Sequence, residues 1–441
     1  MHGGRPAAPF ACPGQIEQEH SVTGHEPVSS AGNPPGASLR YSFVMRLFQG
    51  THSAHLLLAS SLFCPLTAHS QTWLTTANGA WNTNSNWSTG AAPNSSSATA
   101  IFGANTASNG TNVAINTAVT VGTIQFNSGA PAYNIAVNSN ASLSIAGGGI
   151  VNNSSNPLTL TVNSKARVNF TGSSTAGNTI LMENSGGIID FSGSSGTLTA
   201  GALQGSSSTS LLLGSHTLSV GSLGTNTTYQ GVIADGGNSG GTGGSLVKVG
   251  AGTLILSQNN TYTGNTTISA GVLQIGSGSS NGSVAGNIID NASLVFNRSS
   301  ALTYGGVISG TGTLTDSGSG AITLSGTNTY SGGTFLNAGA LVVSADNNLG
   351  NSSTALTFNG GTLRFGAGFS TARSLVLTGN GSVDTNGFNS SSTGVISGAG
   401  QLTKAGTGTL TLTNTETYTG GTKITGGTLQ VGNGGTTGLI S

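Results

Sequence analysis

The segment from Leu246 to Gly276 decides the fold, and it reads LVKVGAGTLILSQNNTYTGNTTISAGVLQIG. The chain repeats it as LTDSGSGAITLSGTNTYSGGTFLNAGALVVS over residues 314–344 and as LTKAGTGTLTLTNTETYTGGTKITGGTLQVG over residues 402–432. Aligned without gaps, the three copies agree at ten positions. Self-similarity of this kind is typical of a structural repeat. The copies do not follow one another directly, and their spacing is unequal, so the segment is not the whole structural period.

Two runs of alternating small apolar residues lie in each copy. Leu254 and Leu256 form the first run of copy one, and Leu273 and Ile275 form the second. A period of two predicts strands with one buried face, and glycines at fixed offsets predict corners with positive φ or close backbone approach. The residues singled out as the structural repeat are Gly250, Gly252, Leu256, Tyr262, Gly264, Gly271, Leu273, Gly318, Gly320, Leu324, Tyr330, Gly332, Gly339, Leu341, Gly406, Gly408, Leu412, Tyr418, Gly420, Gly427 and Leu429.

The rest of the chain has the same composition, with 73 glycines, 5% charged residues and no helical periodicity. Many short strands are compatible with a sandwich, a barrel, a propeller or a solenoid. One uniform texture, copies with variable insertions and the lack of a linker favour the solenoid. We predict an all-β fold, a right-handed parallel β-helix with short strands and turns rich in Gly, Asn and Ser. Coils of roughly 20 to 25 residues, about 4.8 Å apart, give about 15 coils and a length of about 70 Å.

Export is predicted from the segment that begins at Met45. Arg46 supplies a basic region, an apolar run follows from Ala54 to Leu66, and small residues precede Gln71. This pattern is typical of a secretory signal and is too short for a spanning helix. Cleavage after Ser70 would remove both cysteines, so no disulfide is expected. The predicted segments are a leader or early start at 1–44, a signal peptide at 45–70, a Trp-rich N-terminal cap at 71–103, coils at 104–245, repeats at 246–276, 314–344 and 402–432, intervening coils at 277–313 and 345–401, and a truncated C-terminal end at 433–441.

The pattern G-x-G-T-L-x-L…N-T-Y-T-G-x-T-x-I-x-x-G-x-L-Q-V-G resembles the autotransporter-associated β-strand repeat, also called the passenger-associated transport repeat. The triplets Gly231-Val232-Ile233, Gly306-Val307-Ile308 and Gly394-Val395-Ile396 fit the same family, as does the Trp-rich start. The resemblance implies a β-helical passenger on the surface of a Gram-negative bacterium, with repeats that assist folding and export. It also implies Sec export machinery and an outer-membrane barrel as partners. The family's usual C-terminal barrel or sorting tail has no counterpart here, which leaves the anchoring mechanism open.

Candidate chemistry is sparse. A net charge of zero and a pI near 7.1 argue against nucleic acid as a partner. No cofactor, metal site or catalytic residue is predicted. His216 is expected to face outward on a strand beside inward Leu218, and the Gly-rich segment from Asp235 to be a flexible insertion between coils. Tyr262, Tyr330 and Tyr418 either pack over turns, which we favour, or stack against sugars. Beyond Ser70 the acids are Glu183, Asp190, Asp235, Asp290, Asp316, Asp346, Asp384 and Glu416.

Three functions are compatible with these features. The favoured one is a non-enzymatic passenger, extracellular or at the outer-membrane surface, whose repeats fold coil upon coil during export. The second is an adhesin that binds glycans or cell surfaces with its polar faces. The third is a polysaccharide lyase or hydrolase, because acids on adjacent coils could meet although no two lie within five residues.

Overall fold

A computed structural model describes residues 70–104, 109–435 and 438–440. Predictions for the leader, for the signal peptide before Ser70 and for residues 436, 437 and 441 lie outside the described residues. Within the described ranges, 3-10 segments occur at Asn84–Asn86 and Asp346–Leu349. Everything else regular there is β-strand, because alternating Val, Ile, Leu and Thr suit a pleated, half-buried surface.

The first twenty strands of the described part are β1 (Ser70–Thr72), β2 (Gly79–Ala80), β3 (Ser95–Phe102), β4 (Thr111–Ile115), β5 (Val119–Phe126), β6 (Tyr133–Val137), β7 (Ser142–Asn152), β8 (Leu158–Val162), β9 (Arg167–Gly172), β10 (Thr179–Glu183), β11 (Ile188–Ser194), β12 (Leu198–Ala200), β13 (Ala202–Gly205), β14 (Ser210–Leu212), β15 (Thr217–Val220), β16 (Thr227–Tyr229), β17 (Val232–Ala234), β18 (Ser245–Lys248), β19 (Thr253–Leu256) and β20 (Thr266–Ile268).

The remaining strands are β21 (Val272–Ile275), β22 (Ile288–Asp290), β23 (Ser293–Phe296), β24 (Leu302–Tyr304), β25 (Ile308–Ser309), β26 (Thr313–Asp316), β27 (Ala321–Leu324), β28 (Thr334–Leu336), β29 (Ala340–Val343), β30 (Leu356–Phe358), β31 (Thr362–Phe365), β32 (Ser370–Thr371), β33 (Leu375–Leu377), β34 (Gly381–Asp384), β35 (Ser390–Ser392), β36 (Ile396–Gly398), β37 (Leu402–Ala405), β38 (Thr409–Leu412), β39 (Thr422–Ile424) and β40 (Thr428–Val431).

The strands stack in parallel into a β-solenoid of about 16 turns, which confirms the predicted fold class. Five sheets run along its described part. Sheet I is β1-β3-β5-β7-β9-β11-β14-β17, sheet II is β2-β4-β6-β8-β10-β13-β16-β19-β21-β23-β26-β28-β30-β33-β36, sheet III is β12-β15-β18-β20-β22-β25, sheet IV is β24-β27-β29-β31-β34-β37-β39, and sheet V is β32-β35-β38-β40.

The core is one continuous column of apolar side chains from Trp73 to Tyr418. Inward positions alternate with half-exposed ones, as in Leu254 and Leu256 of β19. Polar side chains form ladders on the outside, as the composition predicts. In one ladder the amides of Asn138, Asn163 and Asn184 each donate to the Asn one coil earlier, over 2.7, 3.0 and 2.7 Å. Stacked amides satisfy one another, whereas stacked like charges would repel.

Three tryptophans cover the first coils. Trp73 and Trp81 each meet Trp87 edge to face, with ring centroids 5.1 and 4.9 Å apart. All three are at most 1% exposed and pack on Phe102. The indole of Trp81 donates to the carbonyl of Pro93 over 2.9 Å. The indole of Trp87 likewise donates to the carbonyl of Trp81 over 2.7 Å. Aromatic bulk of this kind suits a boundary between an apolar interior and water.

Candidate functional site: three two-coil repeats

Each repeat is a pair of strands that stacks on a second pair from the same repeat. In the first repeat β18 pairs with β20 and β19 pairs with β21; in the second, β26 pairs with β28 and β27 with β29; in the third, β37 pairs with β39 and β38 with β40. The register is the same in all three, with Leu246 on Thr266, Leu314 on Thr334 and Leu402 on Thr422. A repeat therefore satisfies part of its own ladder within a single copy of the sequence pattern.

The repeats do not share one side of the solenoid. The first contributes to sheets III and II, the second to sheets II and IV, and the third to sheets IV and V. In coil order, sheet IV takes the place of sheet I, and sheet V takes the place of sheet III. The first and second copies are therefore separated by three full coils plus the step from one sheet of the solenoid to the next. The second and third copies are separated by four full coils plus the same step.

A sheet ends below each repeat, at one of the three Gly-Val-Ile triplets. Sheet I ends at β17 with Ile233, sheet III at β25 with Ile308, and sheet II at β36 with Ile396. The turn of the following repeat lies over that isoleucine and completes its hydrogen bonding. The amides of Thr261, Thr329 and Thr417 each donate to the isoleucine carbonyl over 2.9 Å.

A side-chain oxygen of the repeat accepts a hydrogen bond from the backbone amide of the same isoleucine. The Oδ1 atoms of Asn260 and Asn328 accept hydrogen bonds from the amides of Ile233 and Ile308 over 2.9 and 2.8 Å. In the third repeat Glu416 replaces asparagine, and its Oε2 accepts from Ile396. The last strand of each ending sheet is therefore not an open edge, which would otherwise be a site for pairing with other chains.

Tyr262, Tyr330 and Tyr418 are fully buried under these turns. The hydroxyl of each lies beside the threonine four residues later, at 2.6 Å for Thr266 and 2.6 Å for Thr334, with Thr422 the third partner. Burial raises the pKa of all three tyrosines. Stacking of these rings against sugars is wrong for this structure, because a ring without exposed surface cannot meet a ligand. The three threonines are identical in the copies, and that identity was the signal that sequence reasoning passed over.

Two glycine positions show why the repeat needs glycine. Gly271 has φ +68°, and Gly339 and Gly427 match it at +55° and +67°. Gly252, Gly320 and Gly408 lie where a Cβ would come under 3.0 Å from a backbone oxygen of the coil below. A side chain at the first position strains the backbone, and at the second it forces coils apart. The structure places the other predicted glycines at similar close approaches, and Leu256, Leu273, Leu324, Leu341 and Leu412 in the core, whereas Leu429 is partly buried.

A buried lysine holds the turn of two repeats. Lys248 is 1% exposed, and its Nζ donates to the carbonyls of Val249, Gly250 and Ala270 over 2.9, 2.8 and 3.0 Å. Lys404 is 0% exposed and makes the equivalent bonds to Ala405, Gly406 and Gly426 over 2.8, 2.9 and 3.0 Å. Three carbonyl dipoles compensate for part of the desolvation of each ammonium group. Burial lowers the pKa of both lysines.

Five of the eight acids beyond Ser70 are buried, which the sequence did not predict: Glu183, Asp190, Asp290, Asp316 and Glu416. Glu183 accepts a hydrogen bond from the hydroxyl of Tyr229 at 2.5 Å. Burial raises the pKa of Glu183 to about 8, although the hydrogen bonds from Tyr229 and Thr209 oppose the shift. Burial likewise raises the pKa of Asp290 to about 6. These two carboxyl groups inside the solenoid are thus stabilised in the neutral form.

The Gly-rich segment from Asp235 is an insertion between β17 and β18, and carboxylates bind the backbone at both of its ends. Asp235 accepts from the amides of Gly243 and Gly244 over 3.2 and 2.8 Å and from the hydroxyl of Thr263 over 2.6 Å. At the other end of the loop, the amide of Asn238 donates to Asp190 over 2.8 Å. Carboxylates that accept hydrogen bonds from backbone amides therefore close the loop.

His216 lies in the turn before β15 rather than on the strand, so its predicted position is wrong. Its amide donates to the carbonyl of Leu213 over 3.1 Å, and its half-buried ring places Nε2 3.4 Å from the carbonyl of Ser192. Leu218 is buried as expected. Across the part of the chain that the structure describes, no three His, Cys, Asp or Glu side chains come together as a metal site.

Three arginine–carboxylate pairs lie in the described coils. Arg167 pairs with Asp190, Arg364 with Asp384 at 2.8 Å, and Arg373 with Asp346 at 2.9 Å. Arg373 is 2% exposed and also donates to the carbonyls of Gly350 and Asn351 over 2.6 Å each. These contacts join adjacent coils.

A shallow groove of about 370 Å³ crosses sheet II near β10, β13 and β16. Amide side chains line much of it, including Asn184, Gln204, Asn226 and Gln230. Amides both donate and accept, so this surface can meet hydroxyl-rich ligands. Within residues 70–104, 109–435 and 438–440, no helix has the length and apolar character to cross a bilayer.

The family model described as passenger-associated-transport-repeat matches residues 246–275, 314–343 and 402–431. The three segments are passenger-associated-transport repeats. The chain is also 58% identical over 38 residues to a protein named adhesin BmaC autotransporter, from Brucella suis biovar 1 (strain 1330). That match covers 9% of this chain and 1% of the relative. No solved structure matches the chain. The predicted family of these transport repeats is therefore confirmed.

Proposed function

We propose that the chain is the β-helical passenger of an autotransporter, displayed at the surface of a Gram-negative bacterium, and that its repeats promote folding during export. The observation that carries this proposal is the pairing of each transport repeat with itself. Because both halves lie within one copy of the pattern, a repeat can close one full turn and pair two successive coils as soon as it emerges, at a small cost in loop-closure entropy. Each closed turn then caps the preceding sheet through Ile233, Ile308 or Ile396.

Directional export follows from this geometry. A coil that has buried its leucines and completed its ladder does not readily slide back through a narrow pore, because reversal exposes apolar surface and breaks hydrogen bonds. The proposed partners of this export are the Sec machinery and an outer-membrane barrel. A non-enzymatic role fits the ion-paired and buried acids.

Substitution of the buried leucines tests the proposal. Leu324→Asp places a charge in the core of the second repeat and is expected to cost more than the ~2 to 5 kcal/mol of a leucine-to-alanine change. Surface display, measured by antibody binding to intact cells, should fall strongly, with chain accumulating in the periplasm. Leu256→Asp and Leu412→Asp should act alike. Thr327→Asp, at an exposed position of the same repeat, is the matched control.

Display of Leu324→Asp at the wild-type level would contradict the proposal. Normal display with increased protease sensitivity would show that the leucine stabilises the solenoid without supporting export.

An adhesin is the second candidate, favoured by the similarity to an adhesin autotransporter and by the amide-lined groove. A surface glycan is the proposed ligand. Whole-cell adherence should fall in a Gln204→Ala, Gln230→Ala double variant that is displayed normally. Adherence of that variant at the wild-type level would remove the groove from the argument.

A further inference from the structure

The second repeat carries a carboxylate where the first and third carry an ammonium group. Asp316 occupies the position of Lys248 and Lys404, as the inward residue that pairs with the matching strand one coil later. It is 0% exposed, and neither carboxylate oxygen makes a hydrogen bond of normal geometry. The other buried acids each have at least one hydrogen-bond donor as a partner, whereas the backbone amide of Gly318 is the donor beside Asp316 and does not reach normal hydrogen-bond geometry.

The backbone beside Asp316 matches that beside the two lysines at the glycine corner of the repeat. A Cβ built on Gly271, Gly339 or Gly427 would meet the carbonyl oxygen of Gly250, Gly318 or Gly406, respectively, each at 2.5 Å or less. The carbonyl of Gly318 therefore lies where the lysine-binding carbonyls of Gly250 and Gly406 lie. By the same register, Ser317 and Ala338 supply the other two carbonyls. A buried carboxylate with no well-formed hydrogen bond beside three carbonyl oxygens is an all-oxygen arrangement suited to a cation.

We propose that Asp316 and the carbonyls of Ser317, Gly318 and Ala338 bind a calcium ion at the position that Lys248 Nζ and Lys404 Nζ occupy in the other repeats. An aspartate ends two bonds short of a lysine nitrogen, a difference of about 2.5 Å, which matches the roughly 2.3 to 2.6 Å of calcium–oxygen bonds. Charge also agrees, because a carboxylate plus a divalent cation carries the same single positive charge as an ammonium group. Calcium accepts carbonyl ligands in irregular geometry, whereas magnesium requires near-ideal octahedral geometry and retains its waters.

A proton is the competing occupant. Without a cation, burial raises the pKa of the Asp316 carboxyl to about 7. The experiment must therefore measure the metal itself as well as stability.

The calcium content of the purified chain distinguishes a calcium ion at Asp316 from a proton on its carboxyl group. The full chain is refolded from urea with calcium chloride, with magnesium chloride or with chelator at constant pH, and bound metal is measured by mass spectrometry after gel filtration. We expect one calcium per chain and a higher urea midpoint with calcium only. Asp316→Lys should bind none, and its midpoint should not depend on calcium, because it supplies the ammonium group of the other repeats. Lys248→Asp should raise the content from one calcium to two.

Asp384→Asn removes a carboxylate elsewhere and should retain the calcium of the wild-type chain. Circular dichroism of each variant verifies that it folds. The proposal is overturned if the wild-type chain binds no calcium, or if Asp316→Lys binds as much as wild type. With no metal bound, a rise in the urea midpoint on acidification that is smaller in Asp316→Lys than in the wild-type chain would assign the position to a proton.

Discussion

Tyr262 and Thr266 form a buried pair within a turn whose sequence is mostly polar. The tyrosine ring fills the core where a sheet ends, and its hydroxyl is satisfied by a threonine shortly after it, 2.6 Å away. A buried hydroxyl that loses its partner costs about 1 to 3 kcal/mol, whereas removal of both partners costs less than the sum. The same pair occurs in the other two repeats.

A double-mutant cycle tests this pair. Thr266→Val should lower the free energy of unfolding by about 1 to 3 kcal/mol, because the Tyr262 hydroxyl then lacks its partner. Tyr262→Phe should also destabilise the chain, and the double variant should lose less than the sum of the two single changes. Urea unfolding followed by circular dichroism measures each value. Strictly additive effects would show that the two hydroxyls do not interact.

At the scale of elements, the repeat is a two-coil unit with a fixed offset between its halves, shown by the pairing of Leu246 with Thr266 and its equivalents. That offset depends on the length of the turn that carries Tyr262, since period-two strands reverse their faces after a shift of one residue. An exposed loop that bonds mainly within itself is less constrained. Residues 352 and 353, between β29 and β30, are exposed, and the amide of Ser353 donates to the side chain of Asn351 in the same loop.

Insertions into the turn of the repeat and into an exposed loop between repeats test whether only the first sets the register. A single glycine inserted after Gly264 should shift the second half of the first repeat by one residue and turn its buried face outward, which should make β18 to β21 susceptible to limited proteolysis. A glycine inserted after Ser352, in the exposed loop before β30, should leave the cleavage pattern of the chain unchanged. Equal resistance of both variants would show that the turn does not set the register.

For the whole molecule, buried neutral carboxyls link stability to pH. Glu183 has its pKa raised from 4.5 to about 8, and Asp290 from 3.8 to about 6. The folded chain therefore keeps protons that the unfolded chain has released. This contribution to stability is complete below the unfolded pKa values and is lost as pH rises through the folded ones.

The free energy of unfolding should accordingly decrease between about pH 4.5 and pH 8. Glu183→Gln keeps a neutral side chain beside Tyr229 and should reduce that decrease, because one unit of pKa shift corresponds to about 1.4 kcal/mol. Urea unfolding at several pH values gives the slope. An unchanged slope in Glu183→Gln would exclude Glu183 as its origin.

The sequence alone determined the local structure. Period-two runs such as Leu254 and Leu256 predicted strands, glycines such as Gly271 predicted corners, and three matching segments predicted stacked coils. These features depend on neighbours a few residues away or on a repeated pattern, so they can be read from one chain. Nothing near Asp316 in the sequence marks it as buried, so the sequence shows it only as one of the scattered acids.

Only the tertiary structure decided which side of the solenoid each repeat occupies and which polar groups it encloses. Coil lengths differ, so the position of a residue around the axis depends on every loop before it. The burial of Glu183 against the distant Tyr229 and the capping of Ile233 by Asn260 follow from that accumulated register. Local periodicity has no information about such pairings, because hydrogen bonds between coils form only after the intervening chain has closed a full turn.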